Sequence, residues 1–306
     1  MKILSISLRG LLAALISLVA AAYAQEAAAQ LLYKITRADL TAPSYIFGTH
    51  HLAPPSMLDS TPGLRAALDS ARLVVGEIDM TGSQTAMALS MQKYAAAPPD
   101  STLSRLFTPK RFVELNDKFK ALDLMPGLDL YGLDGMRPMV ATNLITISIF
   151  GKSMPDYDPQ QQLDMIIQQY AAANDKEIRP LETPELQARL IYTVLPLKEQ
   201  AESLATLLEQ PEKVMEASRA MNEAYLTRDI DRLLEISFRD DDNPEFAEAL
   251  LDRRNTDWIA TLKQAFAEGP AFVAVGALHL PGSKGLIHLL EAEGYTVIPV
   301  DTIKQE

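Results

Sequence analysis

Short apolar and β-branched runs, bounded by glycine, proline or polar residues, lie mostly toward the two ends of the chain and predict the strands of a sheet. They cover residues 31–35, 44–47, 73–79, 178–182, 271–275 and 295–300. From about residue 87 to residue 175 the apolar positions recur instead with the three- and four-residue spacing of helices. The pattern therefore predicts an α/β (α+β) fold. Its central, mostly parallel or mixed sheet is built from both chain ends and flanked by helices, with a helical middle segment.

Two of these predicted strands run into the same short motif, a glycine followed three residues later by histidine and then leucine. The copies are Gly48 to Leu52 and Gly276 to Leu280, and in each a proline follows within two residues. The chain contains four histidines, and three of them lie in these motifs. The glycine is expected to permit a sharp turn at the carboxyl end of the strand, where ligand sites of open α/β sheets gather. We therefore expect His51 and His279 to lie together, whereas His50 has no counterpart in the second motif.

Histidines in this position have two interpretations. Neutral imidazole is a common metal ligand and a general base near neutral pH, so the pair predicts a polar, metal-dependent site. The alternative is a structural histidine that caps or bridges a loop, and the matching context of the two motifs favours function over it. The fourth histidine, His288, lies in an ordinary helical pattern and is assigned no role.

Two glutamates follow apolar strand patterns and are candidates for the same site. Glu77 lies near the end of the predicted strand 73–79, and Glu182 ends the predicted strand 178–182. Burial of a carboxylate is costly unless it is paired or metal-bound, which makes both residues candidate ligands or proton acceptors. For Glu77 the alternative is a strand end that emerges into solvent. For Glu182 it is an acidic residue that favours a helix N-terminus.

Arg254 lies on the apolar face of a predicted helix. Leu251, Trp258 and Leu262 form a stripe along that helix. By helical spacing Arg254 falls on the same stripe, whereas Arg253 points away from it. A guanidinium on a core-facing stripe requires a carboxylate partner or a bound anion. Arg254 is therefore a candidate site residue, with a structural salt bridge to a glutamate as the alternative.

The composition excludes several kinds of chemistry. The chain has a formal net charge of −12 and no basic cluster, so a nucleic-acid partner is not expected. It contains no cysteine, which excludes disulfides, thiolate metal sites and a thiol nucleophile. No serine-nucleophile elbow, P-loop or dinucleotide fingerprint occurs in the sequence.

Residues 1–24 have the features of a secretory signal peptide. Basic residues near the start precede an apolar run from Leu11 to Ala22, and Ala22-Tyr23-Ala24 fits the small-x-small rule of signal peptidase. An uncleaved anchor is the alternative. We expect a periplasmic or secreted protein with no stable membrane anchor after cleavage. Residues 25–306 are expected to form a single domain with a helical insertion at about residues 87–175.

Several of these segments together resemble the TraB/GumN family, which also takes in PrgY-like proteins and the Tiki metalloproteases. The residues that carry the resemblance are Tyr45 to His51, Val74 to Asp79, Pro180 to Thr183 with Gln187, Arg254 with Asn255, and Val275 to Gly282. The resemblance extends over nearly the whole chain after the predicted signal peptide. It is specific at the two glycine–histidine motifs and loose across the helical middle.

The resemblance implies a fold similar to that of erythromycin esterase and the haem-handling ChaN proteins. In the Tiki branch, two motif histidines and a glutamate form a metal-dependent protease site that favours manganese or cobalt. Carried over by position, these residues are His51, His279 and Glu77, with Arg254 as the arginine of the site. His50 departs from the family pattern, in which an apolar residue is more usual at that position.

The residues and the resemblance together predict a metal-dependent hydrolase with a peptide or small-molecule substrate. His51, His279 and Glu77 would hold a divalent ion (Mn, Co, Zn or Fe), because a mixed nitrogen and oxygen shell suits all four metals. Glu77 or Glu182 would accept a proton from bound water, and Arg254 would stabilise an oxyanion or hold a ligating carboxylate. The alternative is a non-catalytic periplasmic binding or regulatory protein on the same scaffold, including a haem or iron binder.

Overall fold

A six-stranded mixed sheet lies at the centre of the structure, a computed structural model that describes residues 30–154, 156–158, 161–238 and 244–300. Its strands are β1 (Leu32–Thr36), β2 (Ser44–Thr49), β3 (Leu73–Gly76), β4 (Glu177–Pro180), β5 (Ala271–Gly276) and β6 (Thr296–Pro299). They are ordered β4-β3-β5-β2-β1-β6 across the sheet. Strands β4, β3, β5 and β2 are parallel, whereas β1 is antiparallel to its neighbours β2 and β6.

This topology confirms the predicted α/β fold with a mixed sheet, since β1 and β2 come from one end of the chain and β5 and β6 from the other. Two strands end earlier than predicted. β3 stops at Gly76, and Asp79 then accepts hydrogen bonds from the backbone N–H groups of Thr81 and Gly82 in a turn. β4 stops at Pro180. Glu77 and Glu182 therefore lie in the loops beyond the strands, joined by a 2.9 Å backbone bond from Glu182 N to Glu77 O.

Helices make up most of the remaining described chain. Thr108 and Thr183 begin two of them: each hydroxyl accepts from the backbone N–H three residues on, and a proline takes the first helical position. The α-helices are α1 (Met57–Ser60), α2 (Leu64–Ser70), α3 (Gln84–Ala95), α4 (Leu103–Leu106), α5 (Pro109–Ala121), α6 (Pro138–Ser153), α7 (Leu163–Ala173), α8 (Pro184–Thr193), α9 (Leu197–Glu209), α10 (Pro211–Leu226), α11 (Ile230–Phe238), α12 (Pro244–Ala247), α13 (Arg253–Glu268) and α14 (Leu286–Ala292). A π-helical turn, Glu248–Asp252, runs directly into α13, and a 3-10 turn, Ala277–His279, follows β5.

Two hydrophobic clusters hold these elements together. The larger surrounds the sheet and includes the fully buried strand residues Ile46 and Val273. The smaller contains Leu115 of α5, Ile145 of α6 and Leu204 of α9. Helices of the predicted helical segment therefore share a core with α9, which follows that segment in the chain. Within the described ranges, no helix is both long enough and apolar enough to cross a membrane.

The two glycine–histidine motifs pack against each other at Gly48. β2 continues through Gly48 to Thr49, so the expected sharp turn does not begin at this glycine. An added Cβ would lie 3.0 Å from Cα of Ala277 and 2.9 Å from Cδ1 of Leu280. The small residue is required here for the close approach of two backbones.

We predict that Gly48→Ala destabilises the protein by about 1–3 kcal/mol, because the added methyl group forces the two motifs apart. Urea unfolding followed by circular dichroism measures the change. Gly135→Ala is the matched control, since a Cβ at Gly135 would meet no atom within 4 Å. That control should change the free energy of unfolding by less than about 0.5 kcal/mol. Equal losses in the two variants would contradict close packing at Gly48.

Candidate functional site

The carboxyl ends of four parallel strands bring the predicted site residues to one edge of the sheet. Thr49 of β2 pairs with Gly276 of β5, and Gly76 of β3 pairs with Ala274 of β5. Helix α13 packs beside this edge and contributes a side chain to it. The residues that meet there are Glu77, Glu182, Arg254 and His279, and His51 lies near enough to interact electrostatically with Glu77 and Arg254.

Arg254 occupies the centre of this group. Its Nη2 atom donates to Oε2 of Glu77 at 2.6 Å and to Oε1 of Glu182 at 2.5 Å, and its Nε atom donates to Oε2 of Glu182 at 3.0 Å. The Arg254 side chain is 11% exposed. Burial of a guanidinium requires such partners. The predicted core-facing position of Arg254 is confirmed, and the salt bridge considered as its structural alternative forms with both glutamates.

The helix that carries Arg254 begins irregularly. The π-helical turn Glu248–Asp252 precedes it, and the carbonyl of Leu250 in that turn accepts from Nη1 of Arg254 at 2.9 Å. The ring of Trp258 lies 4.7 Å from the guanidinium, within the range of cation–π attraction. These contacts, added to the two carboxylates, hold the plane of the guanidinium in one orientation.

Donors from separate elements hold the carboxylate of Glu77. Besides Arg254, the backbone N–H of Gly276 donates to Oε1 at 2.8 Å, and Nε2 of Gln187 donates to Oε2 at 3.1 Å. Burial alone would raise the pKa of Glu77, but the surrounding positive charges and the Gly276 N–H outweigh it and lower the pKa to about 2. Because His279 is itself uncharged at neutral pH, Arg254 is the main counter-charge there. Glu77 is therefore ionised at neutral pH.

Glu182 lies deeper than Glu77. Its side chain is 1% exposed, and it also accepts from Gln187 at 3.2 Å. Burial raises the pKa of Glu182, and the pairing with Arg254 opposes that rise. The helix that follows is capped by Thr183, whose hydroxyl accepts from the N–H of Leu186. The carboxylate of Glu182 is thus bonded to Arg254, and the helix is capped by Thr183 and not by Glu182.

His279 is a buried, neutral histidine with a defined tautomer. Nδ2 of Asn255 donates to the carbonyls of His279 and Lys284, so Oδ1 of Asn255 accepts from Nδ1 of His279, 2.6 Å away. Nε2 of His279 then carries the lone pair and accepts from Nη1 of Arg254 at 3.1 Å. Burial lowers the pKa of His279 to about 4, which leaves the imidazole uncharged at neutral pH.

His51 is held by a carboxylate that the sequence patterns did not reveal. Its Nδ1 lies 3.0 Å from Oδ2 of Asp164, in the first turn of α7, and Oδ1 of Asp164 accepts from the hydroxyl of Thr49 at 2.6 Å. The side chain of His51 is 63% exposed, whereas Asp164 is buried. The charge of Asp164 raises the pKa of His51 to about 9. Without a bound ligand, His51 is therefore protonated at neutral pH.

In the sequence, Asp164 could have been found as an acidic residue among the apolar positions of a helical pattern. Leu163 and Ile167 on the same face of α7 are fully buried, and so is Ala171 one turn further on. Gln168, four residues after Asp164, is also buried on that face. An acidic residue in the first turn of a helix is ordinary, however, because it opposes the positive end of the helix dipole. Because this role is common, the sequence pattern does not indicate that Asp164 is buried.

His50 lies outside the charged group. Its Nδ1 accepts from the backbone N–H of Leu52 at 3.0 Å, and its ring centroid lies 5.1 Å from that of Tyr225 and 6.3 Å from that of Phe150. Burial lowers the pKa of His50 to about 4. The structure thus separates the adjacent histidines, since His50 packs against aromatic rings and His51 bonds to the Asp164 carboxylate.

The site has an excess of formal negative charge. Glu77, Glu182 and Asp164 supply three carboxylates, against the guanidinium of Arg254 and the imidazolium of His51. A bound cation, or a proton shared by the carboxylates, would balance this excess. The arrangement therefore suits a cationic ligand better than an anionic one.

The three predicted metal ligands fit a divalent ion in chemical type but are not yet arranged around one. Nδ1 of His51 and Nδ1 of His279 are each held by an oxygen, the pattern that directs Nε2 of a histidine toward a metal. Oε1 of Glu77 lies 3.7 Å from Nε2 of His279, but Nη1 of Arg254 occupies the lone pair of that nitrogen. Across the part of the chain that the structure describes, no group of three or more histidine, cysteine or acidic side chains is arranged to hold a metal. An ion would have to displace Arg254 from His279.

Comparison with known proteins gave a match at the level of a family. The model of the TraB/PrgY/gumN family matches residues 31–299, nearly the whole chain. A search of curated proteins and a search of solved structures each found no match. Every residue of the candidate site lies within the matched range.

We predict that Arg254→Ala lowers the free energy of unfolding by about 3–5 kcal/mol, because two buried carboxylates lose their counter-charge. Arg253→Ala is the matched control on the same helix: its side chain is 65% exposed and pairs with Glu248 at the surface. The control should lose less than about 1 kcal/mol. Urea denaturation of both variants measures the difference, and similar losses would show that the buried ion pairs do not stabilise the fold.

Proposed function

Because the chain belongs to the TraB/PrgY/gumN family, we propose that it is a metal-dependent hydrolase with a peptide or small-molecule substrate. On this proposal His51, His279 and Glu77 hold a divalent ion (Mn, Co, Zn or Fe), with Arg254 and Glu182 beside them. The observation that carries the proposal is the way the motif histidines are held. Each Nδ1 meets an oxygen acceptor, so the reactive atom of each ring is Nε2.

The exposure of these residues supports a site with one open side. His51 is largely exposed, whereas the side chain of His279 is 4% exposed and that of Glu182 is 1% exposed. A substrate would reach the site past His51 and meet buried, fixed polar groups behind it. Fixed charges in a place with little water act more strongly on a reacting group than they would in solvent.

The surrounding residues have distinct proposed roles. A divalent ion supplies a bound water of lowered pKa and polarises the bond to be cleaved. Glu77 is ionised and lies next to His279, which suits its carboxylate to bind the ion, whereas burial raises the pKa of Glu182 and makes it the better proton acceptor. Glu182 is almost fully buried and holds Arg254 in place. Once Nη1 of Arg254 leaves Nε2 of His279, the guanidinium is free to stabilise negative charge that develops on the substrate.

We further propose that the protein is exported. The evidence is the signal-peptide pattern of residues 1–24, which lie outside the residues that the structure describes. On this proposal the mature chain works in the periplasm or outside the cell, without an anchor after cleavage. Its lack of cysteine is compatible with an oxidising compartment.

A non-catalytic binding or regulatory role is the second candidate, and one observation favours it. All three nitrogens of Arg254 already have acceptors, which are Glu77, Glu182, Leu250 and His279. A buried network that is complete in itself can rigidify a fold without taking part in a reaction. Haem or iron binding on the same scaffold belongs to this second candidate.

Equilibrium dialysis of the purified protein against Mn²⁺, Co²⁺ or Zn²⁺, followed by metal analysis, tests the ion site. We expect the wild type to bind an ion. His51→Ala and His279→Ala should each weaken binding by more than about 100-fold, since each removes a direct ligand and not merely its support. His288→Ala is the control, because this exposed histidine lies in α14 away from the motifs. A wild type that binds none of these ions would refute the proposal.

A peptide-hydrolysis screen with each loaded metal tests the reaction itself. For any substrate that is cleaved, Glu77→Gln should lower kcat by about 100-fold or more, because it removes the charge with which this residue is proposed to hold the ion and keeps the shape of the side chain. Glu185→Gln is the control, an exposed glutamate that pairs with Lys93. Ion binding without cleavage of any substrate, together with an unaltered fold, would favour the non-catalytic candidate.

A further inference from the structure

A carboxylate is buried among apolar residues on α7. Asp164 is 7% exposed, and its helix neighbours Leu163 and Ile167 are fully buried in the core around the sheet. A carboxylate in such surroundings is costly unless strong donors meet it. An apolar residue at this position would not need such donors, so the partners of Asp164 explain why it is there.

Both oxygens of Asp164 are engaged by residues of the first motif. The hydroxyl of Thr49 donates to Oδ1 at 2.6 Å, and Nδ1 of His51 lies 3.0 Å from Oδ2. A carboxylate only accepts, so the proton of this second bond resides on Nδ1 of His51. Thr49 is buried at the end of β2, which fixes the carboxylate against the sheet. The two contacts link α7 to the strand end that carries His51.

The imidazole of His51 depends on this contact for its orientation. The ring is 63% exposed, so packing leaves it free to turn. Among the described residues, its ring forms no hydrogen bond other than the one to Asp164. Without Asp164 the ring would therefore sample other rotamers and the other tautomer.

We infer that Asp164 is a positioning residue, which fixes the orientation of the His51 ring and holds its neutral form with the proton on Nδ1 and the lone pair on Nε2. The inference rests on the proposed function for the use of that Nε2, whether to bind an ion or to act on a substrate. The second motif has a counterpart, because Asn255 holds Nδ1 of His279 in the same way. Helix α7 thus supplies the oxygen that holds one motif histidine, and α13 supplies the oxygen that holds the other.

A helix cap is the structural alternative for Asp164, and its contacts argue against it. An acidic residue in the first turn of a helix normally accepts from backbone N–H groups of that turn. The recorded partners of Asp164 are side chains of the β2 region, more than a hundred residues earlier in the chain. The carboxylate therefore faces the first motif and not the start of its own helix.

The test uses Asp164→Ala and Asp164→Leu in the full chain, with Asp231→Asn as the control. Asp231 is an exposed acid in the first turn of another helix, α11. Leucine is close to aspartate in shape but accepts no hydrogen bond, whereas an asparagine could hold Nδ1–H of His51 with its amide oxygen, as Asn255 holds that of His279. If the alanine variant fails to fold, the leucine variant decides the outcome.

The first measurement is the ¹⁵N chemical shift of the two ring nitrogens of His51 in the unprotonated form. In the wild type Nδ1 should carry the proton. In both Asp164 variants a large fraction should convert to the Nε2–H form that free histidine prefers in water, while the shifts of His279 stay unchanged. Identical His51 shifts in the wild type and in both variants would overturn the inference. A merely structural role of Asp164 would not move these shifts.

The second measurement is the affinity for Zn²⁺ by isothermal titration calorimetry. We expect Asp164→Ala to weaken binding by about 10–100-fold, the usual effect of removing the partner of a ligating histidine, and Asp231→Asn to leave it unchanged. Equal affinity of the wild type and both Asp164 variants would also overturn the inference. If the wild type binds none of Zn²⁺, Mn²⁺ and Co²⁺, the proposed function fails, and the nitrogen shifts alone decide whether Asp164 positions His51.

Discussion

The structure depends on one electrostatic constraint, the burial of a guanidinium together with two carboxylates. Arg254 can lie in the core because Glu77 and Glu182 meet it, and loss of the arginine would leave two buried carboxylates without their counter-charge. The three residues come from α13, from the loop after β3 and from the loop after β4. Their ion pairs therefore fix the helix against the edge of the sheet. The ring of His279, held by Asn255 on the same helix, is fixed with it.

The same edge gives two identical side chains different protonation states. His279 is buried and partnered by the neutral amide of Asn255, and its pKa falls to about 4. His51 is exposed and partnered by the carboxylate of Asp164, and its pKa rises to about 9. Environments that drive two like groups apart in pKa are a common way for one site to offer both a proton donor and a proton acceptor. A bound cation would change the protonation state of His51, because it would take the place of a proton on that ring.

Most of the fold and part of the site could be predicted from the sequence. Apolar patterns indicate the strands and helices, and an ionisable residue within such a pattern marks a charge that must be buried. Glu77 and Arg254 stand out as ionisable residues within apolar patterns, and a repeated motif singles out the histidines. Asp164 did not stand out, since an acid in the first turn of a helix is ordinary and its partner lies more than a hundred residues away. The length of β3 was overestimated for a similar reason. The bonds that Asp79 accepts in its turn depend on the folded loop, which apolar periodicity does not describe.

The exposure of His51 sets it apart from Glu77, Glu182, Arg254 and His279 at the same sheet edge. A residue that only stabilises a fold is normally buried, and the neighbours of Asp164 on α7, Leu163 and Ile167, are apolar and fully buried. Instead the core contains the carboxylate of Asp164, whose two oxygens accept hydrogen bonds from Thr49 and from the exposed ring of His51. The free energy that its burial costs is offset by contacts whose main effect is to orient that ring. Stability alone does not explain such an arrangement, whereas the proposed use of Nε2 of His51 does.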